Sequence, residues 1–360
     1  TTIVCRRPIN NEVLDAEGLR LPDNIKLQTY LDDTYFSIFQ RLTSLLSGGI
    51  ALTNVYKDLY QKYPHGAVIA RHHAHALAAK NAGFTTVRYL VPSLVGKQLL
   101  AESTGSSILN RLRLFLHAMV DGHAQRKALL DSELFVFSRS MELQIRQYLN
   151  KTKTDLSISI VKPGIDSSQF YPVSTETKME LRRQLGLCPS KKIFLFVGRL
   201  VKSKGIDYIV DAMREMPDEC VLLVVGDGDE NALIQEKVEK RSLQDRVLIR
   251  RPTLNIAKFF QASDVYVMSS TYECFGQTIL ESVACGMRVV AFHRSTGVNT
   301  ATHELNIDHM VDYADTLDGK GLATAMHNSL NSGYTISPTI SEDPLDGWDK
   351  LWDVLIPAVQ

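Results

Sequence analysis

The sequence FLFVGRLVKSKG, residues 194–205, begins with a short apolar run, which ends at a glycine and is followed by a basic loop. From Lys191 onward, runs of this kind alternate with amphipathic stretches of helical length; the runs are IFLFVG, VLLVVGDG, VLIRR and DVYVMSS. A strand, a crossover helix and another strand, repeated in this order, predict a parallel sheet covered by helices on both faces. The last helix of the series is expected to begin near Gly276.

The N-terminal half shows the same alternation less regularly, with AVIARHH, TTVRYLVPS, LFVFS and LSISIVKPG as candidate strands. Two doubly wound α/β domains follow from this pattern, an N-terminal one over residues 1–165 and a C-terminal one over residues 166–338. A final helix is expected within residues 339–360. Trp348 and Trp352 lie four residues apart there, so they are predicted to share an apolar face that docks on the N-terminal domain.

Composition excludes several classes of protein. The chain has 360 residues, and its 40 Lys and Arg balance its 40 Asp and Glu, so a nucleic acid is not expected as the main partner. The five cysteines are scattered without the two-residue spacing of zinc or redox sites, which favours the cytoplasm. No apolar run approaches the roughly 20 residues of a membrane span, so any membrane contact is expected to be peripheral.

The loop after the first of these strands brings Arg199 and Lys204 to the carboxyl end of a parallel sheet, where open α/β sheets bind ligands. Two fixed cations at that edge suit a diphosphate, since Arg grips phosphate oxygens bidentately and Lys adds a point charge. The alternative is a solvated basic loop without a ligand.

The stretch TYECFGQTILESVACG, residues 271–286, places two glutamates around a helix start. The N–H groups of Gly276, Gln277 and Thr278 are predicted to form an anion site at the positive end of that helix. A carboxylate repels phosphate, so Glu273 is expected to accept hydrogen bonds from sugar hydroxyls and Glu281 from those of ribose. The alternative is an ordinary helix N-terminus with two surface glutamates.

In order and spacing, these motifs resemble the family 4 glycosyltransferases, a group of retaining GT-B enzymes. The shared features are GRL, KG, the GDG turn at residues 226–228, Glu-Cys-Phe-Gly with a second glutamate after seven intervening residues, and ACG. The resemblance covers residues 191–290, and VKPGIDSSQFYP is similar to the linker between the family's domains. It implies a GT-B fold, in which two Rossmann-like domains face a central cleft and bind the acceptor and the nucleotide sugar respectively.

The resemblance also implies roles for single residues. Arg199 and Lys204 would neutralise the donor diphosphate and Glu273 would hold the sugar, which makes these three the predicted catalytic residues. The segment around Arg251 and Pro252 would bind the base. The predicted donor-binding set is Arg199, Lys204, Arg251, Pro252, Glu273, Phe275, Gly276, Gln277, Thr278 and Glu281.

The chemistry implied is that of a retaining hexosyltransferase, of class EC 2.4, acting in carbohydrate biosynthesis without a metal or a cofactor. A UDP-sugar is expected first as donor and a GDP-sugar second; the acceptor, the linkage and the oligomeric state stay open. The pair Asp227 and Asp229 has the spacing of a metal-binding motif, but a tight turn before the next helix explains it more simply.

The N-terminal half departs from the family pattern. The opening TTIVCRRP reads like the family's second strand, so the first strand and its glycine-rich loop are expected to be missing. Where many members carry a histidine facing the donor sugar, this chain has Pro92 and Ser93. His72, His73 and Ser93 are the candidate acceptor-side residues, although capping or core roles explain the histidines as well.

A stretch of residues 108–130 mixes apolar side chains with Arg111, Arg113, Arg126 and Lys127. It predicts either contact with an anionic membrane surface or a core helix with cationic edges.

Two other functions fit the same sequence. An epimerase of the UDP-N-acetylglucosamine type would use the carboxylates and the nucleotide sugar without an acceptor. A non-catalytic subunit would bind the nucleotide sugar and form no product.

Overall fold

The computed structural model describes residues 2–6, 26–30, 50, 52–96, 108–151, 156–331 and 348–355. Its strands are β1 (Thr2–Arg6), β2 (Lys26–Tyr30), β3 (Val68–Ala70), β4 (Val87–Leu90), β5 (Glu133–Val136), β6 (Ile158–Ile160), β7 (Lys192–Val197), β8 (Cys220–Val225), β9 (Val247–Arg250), β10 (Val265–Met268), β11 (Tyr272–Glu273), β12 (Arg288–Phe292), β13 (Asn299–Thr300) and β14 (Val311–Ala314). Its helices are α1 (residues 52–62), α2 (His73–Ala82), α3 (Ile108–Asp131), α4 (Arg139–Leu149), α5 (Thr175–Gln184), α6 (Ile206–Ala212), α7 (Asn231–Lys240), α8 (Ala257–Ala262), α9 (Gln277–Ala284), α10 (Gly319–Asn331) and α11 (Trp348–Leu355). Short 3-10 helices lie at Lys202–Lys204, Arg294–Thr296, Thr302–Glu304 and Asp308–Met310.

The C-terminal half forms a six-stranded sheet with the order β9-β8-β7-β10-β12-β14. Each neighbouring pair in this sheet is parallel. The chain fills one side of the sheet from β7 to β9 and then returns to the other side with β10, so the topological switch lies between β7 and β10. The doubly wound domain predicted from the apolar runs is confirmed, and ligands of such sheets bind at the carboxyl edge beside the switch.

Burial on both faces explains why the strands are almost continuously apolar. All six residues of β8 are buried. In β7, Phe194 and Phe196 face a core that includes α6 and α10, while Ile193 and Leu195 face a second core that includes α5, α8 and α9. Successive side chains of a strand point to opposite faces, so a sheet covered on both sides needs apolar residues at every position.

The four candidate strands of the N-terminal half are confirmed as β3, β4, β5 and β6, which form one sheet in that order. The pairs β3–β4 and β4–β5 are parallel, and α2 packs against α3. The strands β1 and β2 form a separate parallel pair.

Contacts divide the described chain into two compact units. The N-terminal unit contains the described residues up to 96, residues 108–135 and those from Lys151 to Ser159. The C-terminal unit contains Val136–Asn150 and the described residues from Ile160 onward. The linker predicted from Lys162 to Pro172, within VKPGIDSSQFYP, follows this change of unit. The grouping of α4 with the C-terminal unit was not expected from the sequence.

Trp352 lies outside the packed side of α11, although the sequence predicted it on that side. Among the residues of α11 whose side chains the structure describes, Leu351 and Leu355 are buried, while Trp352 is 47% exposed. The side chain of Trp348 lies outside the described residues. Since Leu351 and Trp352 are adjacent and point about 100° apart around the helix, only one of them belongs to the packed face. The docking of this helix on the N-terminal domain stays a prediction. Within the described part of the chain, no helix is both long and apolar enough to cross a bilayer.

Candidate active site

The loop after β7 is fixed to its neighbours through the backbone. Leu200 accepts a hydrogen bond from the Glu230 N–H at 2.9 Å and donates one to the Asp227 carbonyl at 2.9 Å. Gly205 ends the loop in the left-handed region, with a φ of 64°, and a Cβ there would lie 2.2 Å from the carbonyl oxygen of Ser269. Only glycine permits both this backbone angle and this approach, so the loop lies close against the end of β10.

Lys204 and Glu273 form an ion pair at this edge of the sheet. The ammonium group of Lys204 donates to Oε2 of Glu273, and each side chain is about one-fifth exposed. Lys204 comes from the loop after β7 and Glu273 from β11, which follows β10, so the pair joins the two strands of the topological switch. The structure thus brings together a cation and an acid that the sequence assigned to the diphosphate and the sugar.

The helix α9 begins next to Glu273. Its N-cap is Gly276, with a φ of 84°, and its first turn contains no acidic residue. Gln277 donates from Nε2 to the Gly164 carbonyl at 3.1 Å, and Thr278 accepts from the Tyr266 hydroxyl at 2.6 Å. These contacts fix the first turn of a helix whose positive end suits an anion.

Glu281 lies one turn further along α9 and is mostly buried. Burial raises its pKa to about 7, and a hydrogen bond from the Gln277 side chain opposes part of that rise. The carboxyl group is therefore poised between its neutral and charged forms near neutral pH.

The other predicted donor residues follow the carboxyl ends of neighbouring strands. Arg199 follows β7 and is exposed, and Arg251 and Pro252 follow β9 and are exposed. Since the strands are parallel, these residues share the edge that carries Lys204 and Glu273. The ring of Phe275 lies against Phe137, with ring centroids 4.4 Å apart, so this side chain has an internal partner.

The Asp-Gly-Asp sequence forms a turn. Oδ1 of Asp227 accepts hydrogen bonds from the Gly228 N–H at 2.8 Å and from Nδ2 of Asn231 at 3.3 Å. Asn231 is the first residue of α7, so the carboxylate closes the turn that leads into the helix. This geometry supports the turn interpretation of the motif; the metal independence of the chemistry stays a prediction.

The candidate acceptor-side residues lie in the N-terminal unit. His72 caps α2 by accepting from the Ala74 N–H, and its ring centroid lies 4.1 Å from that of His73. His73 is buried, with Nε2 3.9 Å from Oδ1 of Asp121. Burial lowers the pKa of His72. Capping and core roles describe these two side chains, and their contact with an acceptor stays a prediction.

Ser93 lies in the irregular segment after β4, which a buried glutamine holds in place. Gln125 donates to the Ser93 carbonyl at 2.8 Å and accepts from the Val95 N–H at 2.9 Å. The same amide donates to the hydroxyl of Tyr89. Gln125 was not predicted from the sequence, since its neighbours His123, Arg126 and Lys127 are also polar and nothing in the local pattern distinguishes it.

Residues 108–130, for which the sequence predicted either a membrane-surface contact or a core helix, lie in α3. Leu129 and Ala128 are buried, as a core helix requires, whereas Phe115, Met119, Arg126 and Lys127 are exposed. The side chains of Arg111 and Arg113 lie outside the described residues.

Part of the chain that contains the candidate site matches a known protein family. Residues 177–306 match the family described as glycosyl transferases group 1, and they contain Arg199, Lys204, Glu273 and Glu281. This segment is similar to the glycosyl transferases group 1. The resemblance found in the motifs is thereby confirmed for this family.

The similar proteins include enzymes of several specificities. D-inositol 3-phosphate glycosyltransferase of Pseudarthrobacter chlorophenolicus is 29% identical over 293 residues, which are 73% of this chain and 65% of that protein. Mannosylfructose-phosphate synthase of Agrobacterium fabrum is 30% identical over 203 residues, which are 52% of this chain and 42% of that protein. The chain spans less than half the length of several of the relatives it matches, as the second case shows.

Solved structures confirm the predicted fold class. The structure of HepE from Anabaena in complex with UDP and glucose has a TM-score of 0.71 at 17% identity, covering 98% of this chain and 91% of that one. Sucrose-phosphate synthase of Thermosynechococcus elongatus has a TM-score of 0.69 at 21% identity, covering 87% of this chain and 76% of that one. At these identities the likeness concerns the fold, which is that of the GT-B glycosyltransferases.

Proposed function

We propose that the protein is a glycosyltransferase that takes a sugar from a nucleotide-diphosphate donor and transfers it with retention of configuration. The observation that carries this proposal is the ion pair of Lys204 and Glu273 at the topological switch, beside the N-terminus of α9. A cation, an acid and a positive helix end together suit a diphosphate attached to a hydroxyl-rich sugar. The family match of residues 177–306 supports the same reaction class, EC 2.4.

According to this proposal, donor binding breaks the ion pair between Lys204 and Glu273. A diphosphate carries more negative charge than one carboxylate, so it draws the ammonium group of Lys204 toward the phosphate oxygens. The carboxylate of Glu273 is then released to accept a hydrogen bond from a sugar hydroxyl. Arg199 adds a second cation to the diphosphate, and the segment at Arg251 and Pro252 contacts the base.

The cations then stabilise the departing group. As the bond between the anomeric carbon and the diphosphate oxygen breaks, negative charge grows on the phosphate that Lys204 and Arg199 contact. The acceptor oxygen attacks the sugar from the face that the diphosphate leaves, and its proton passes to a phosphate oxygen. The products are a glycoside and a nucleoside diphosphate, and the chemistry needs neither a metal nor a covalent enzyme intermediate.

A UDP-sugar is proposed as the donor, with a GDP-sugar second. The Anabaena HepE structure of the same fold contains UDP and glucose, which supports uracil as the first base to test. The acceptor is proposed to be a glycan, a lipid-linked sugar or a small metabolite, reached in the cytoplasm or at the inner face of a membrane.

A thermal-shift screen tests the donor. UDP, GDP, ADP, TDP and their sugars are compared, because a ligand of the native state raises the melting temperature by mass action. We expect the largest shift from one nucleotide and its sugar. If none of them shifts the melting temperature, the proposed donor class is wrong.

Substitution of the ion pair tests the chemistry. Lys204→Ala and Glu273→Ala are each expected to lower turnover of the donor at least about 100-fold, since each removes a group that contacts the transition state. Lys240 and Glu236 form an exposed ion pair on α7 and provide matched controls, Lys240→Ala and Glu236→Ala, which should retain wild-type turnover. Wild-type turnover in Lys204→Ala and Glu273→Ala would contradict the proposal.

Incubation with the donor alone distinguishes the alternatives. A transferase at most hydrolyses the donor slowly, whereas an epimerase converts its sugar. Tight nucleotide binding without any product from a panel of acceptors would instead indicate a non-catalytic subunit.

A further inference from the structure

The strand that carries Glu273 is held by a partner strand. β11 pairs in parallel with β13, with Tyr272 opposite Asn299 and Glu273 opposite Thr300. The Ala301 N–H donates to the Glu273 carbonyl at 3.0 Å, and the Asn299 N–H donates to the Thr271 carbonyl at 2.9 Å. This ladder has two residues on each side, so whatever fixes β13 also helps to fix the backbone of Glu273.

Glu304 connects β13 to the N-terminus of α4. It lies four residues after Thr300, and its carboxylate accepts hydrogen bonds from the backbone N–H groups of Arg139 and Ser140 and from the Ser140 hydroxyl. The Ser140 N–H contact is 2.8 Å long. Backbone N–H groups in the first turn of a helix have no partner within the helix, and the positive helix end favours a carboxylate. The Glu304 carboxylate therefore supplies both the hydrogen-bond acceptor and the negative charge that this helix end favours.

A second contact of α4 holds the residue next to Glu273. Ser138, the N-cap of α4, is buried and donates from its hydroxyl to the Cys274 carbonyl at 2.9 Å. The same oxygen accepts from the Met141 N–H at 3.2 Å. The helix end thus binds the segment of Glu273 directly at Cys274 and indirectly through Glu304 and β13.

These contacts close a ring around the predicted sugar-binding acid. The ring, which we call the α4 clamp, consists of Ser138, Cys274, Glu273, Ala301, Glu304 and Ser140. A further bond outside the ring, from Nε2 of Gln144 to Oδ1 of Asn299 at 3.1 Å, joins the second turn of α4 to β13. Because β11 is only two residues long, the clamp supplies constraints that the strand pair itself lacks.

We propose that Glu304 is a positioning residue for the donor sugar. Its carboxylate, bound at the N-terminus of α4, fixes β13 and thereby places the Glu273 carboxylate where it meets the sugar hydroxyl. This role rests on the proposed function, since it assigns the sugar to Glu273. Glu304 itself acts only through Glu273 and the backbone of β11.

The proposal predicts a selective loss of affinity. If Glu304 places Glu273, its removal weakens the binding of the sugar and leaves the binding of the nucleoside diphosphate intact. The quantity to measure is the ratio of the dissociation constants of UDP and UDP-glucose, determined by calorimetry on the full chain. Should the thermal-shift screen select guanine, GDP and GDP-mannose replace them.

We expect Glu304→Ala to lower the affinity for UDP-glucose about tenfold, the size of one hydrogen bond to a charged group, and that for UDP by less than about twofold. Glu304→Gln keeps one acceptor oxygen and should lie between the wild type and Glu304→Ala. It also serves as the informative variant if Glu304→Ala does not fold. Glu239→Ala, at an exposed position of α7, is the matched control and should leave the ratio unchanged.

A double-mutant cycle separates positioning from general destabilisation. If Glu304 acts through Glu273, then Glu304→Ala causes no further loss of sugar affinity in a chain that already carries Glu273→Ala. Additive losses would overturn the proposal, and so would a wild-type ratio in Glu304→Ala. If the wild-type chain binds neither UDP-glucose nor GDP-mannose, both the proposed function and this inference are contradicted. If the wild type binds the donor and the variants show the wild-type ratio of dissociation constants, only the inference is contradicted.

Discussion

Glu281 is the residue of the candidate site that couples pH to stability, because its carboxyl group is largely withdrawn from solvent. Its pKa lies near 7 because burial disfavours the charged form. In the unfolded chain the same group has a pKa near 4.5. The folded state therefore binds more protons than the unfolded state between these values, and the free energy of unfolding falls as the pH rises through this window.

Glu281→Gln is expected to remove this dependence. At pH 8 the variant should be more stable than the wild type by up to about 3 kcal/mol, whereas at pH 4.5 the two should differ little. Urea denaturation at both pH values measures the difference. Glu239→Gln, at an exposed position of α7, is the control and should show no such change with pH. An equal difference between wild type and Glu281→Gln at both pH values would contradict the assigned cause.

Single residues of the candidate site could be selected from the sequence where a local pattern carried them. Glu273, Gly276 and Glu281 belong to one continuous motif, and Lys204 follows the glycine that ends a strand. Glu304 has no such pattern, since its partner Ser140 lies 164 residues earlier in the chain. Ser138 follows the apolar run of β5 and so carries a capping signal, but its bond to Cys274 spans 136 residues and is invisible in the sequence.

The loop from Gly198 to Gly205 is positioned by the close approach of Gly205 to the carbonyl oxygen of Ser269. Gly205 and Gly186 have nearly the same left-handed φ, 64° and 65°. A Cβ on Gly205 would lie 2.2 Å from the Ser269 carbonyl oxygen, while a Cβ on Gly186 would have no atom within 4 Å. The backbone strain of an alanine should therefore be similar at the two positions. The difference between the two alanine variants then measures the steric contact with Ser269.

Gly186→Ala is expected to lower the free energy of unfolding by about 1 kcal/mol, the cost of a left-handed alanine. Gly205→Ala should exceed this loss by about 2 kcal/mol or more, because the loop must also move away from β10. It should further weaken UDP binding, since the displaced loop carries Lys204. Guanidinium denaturation and calorimetry measure the two effects. Equal losses of stability in both variants would show that the contact with Ser269 is not constraining.

Elements were predicted well where burial on both faces leaves a continuous apolar run, as in β8, and poorly where partners decide which face is buried. In α11 the two tryptophans were expected to share the packed face. Leu351 and Leu355 are buried there while Trp352 is 47% exposed, because a helix of eight residues with apolar side chains on several sides has more than one face that could pack. The pairing of β11 with β13 was likewise unpredictable, since two residues carry no periodicity.

On the scale of the whole molecule, the predicted donor residues are concentrated at one edge of one unit. Arg199, Lys204, Glu273 and Glu281 all belong to the C-terminal unit and follow strands whose carboxyl ends share that edge. The acceptor-side candidates His72, His73 and Ser93 belong to the N-terminal unit. The binding of a nucleoside diphosphate alone is thus expected to slow amide hydrogen exchange in a small number of segments of the C-terminal unit.

Hydrogen exchange measured by mass spectrometry checks this expectation. Saturating UDP should slow amide exchange in residues 198–206, 250–253 and 273–281, because these segments contain the proposed contacts to the diphosphate, the base and the ribose. The helices α5, in the same unit, and α2, in the N-terminal unit, serve as internal references and should exchange at the unliganded rate. Glu273→Ala should leave this pattern intact with UDP, because Glu273 is assigned to the sugar, whereas Lys204→Ala should weaken it. Protection of α2 and α5 in place of the three segments would place the nucleotide elsewhere and contradict the assignment of the site.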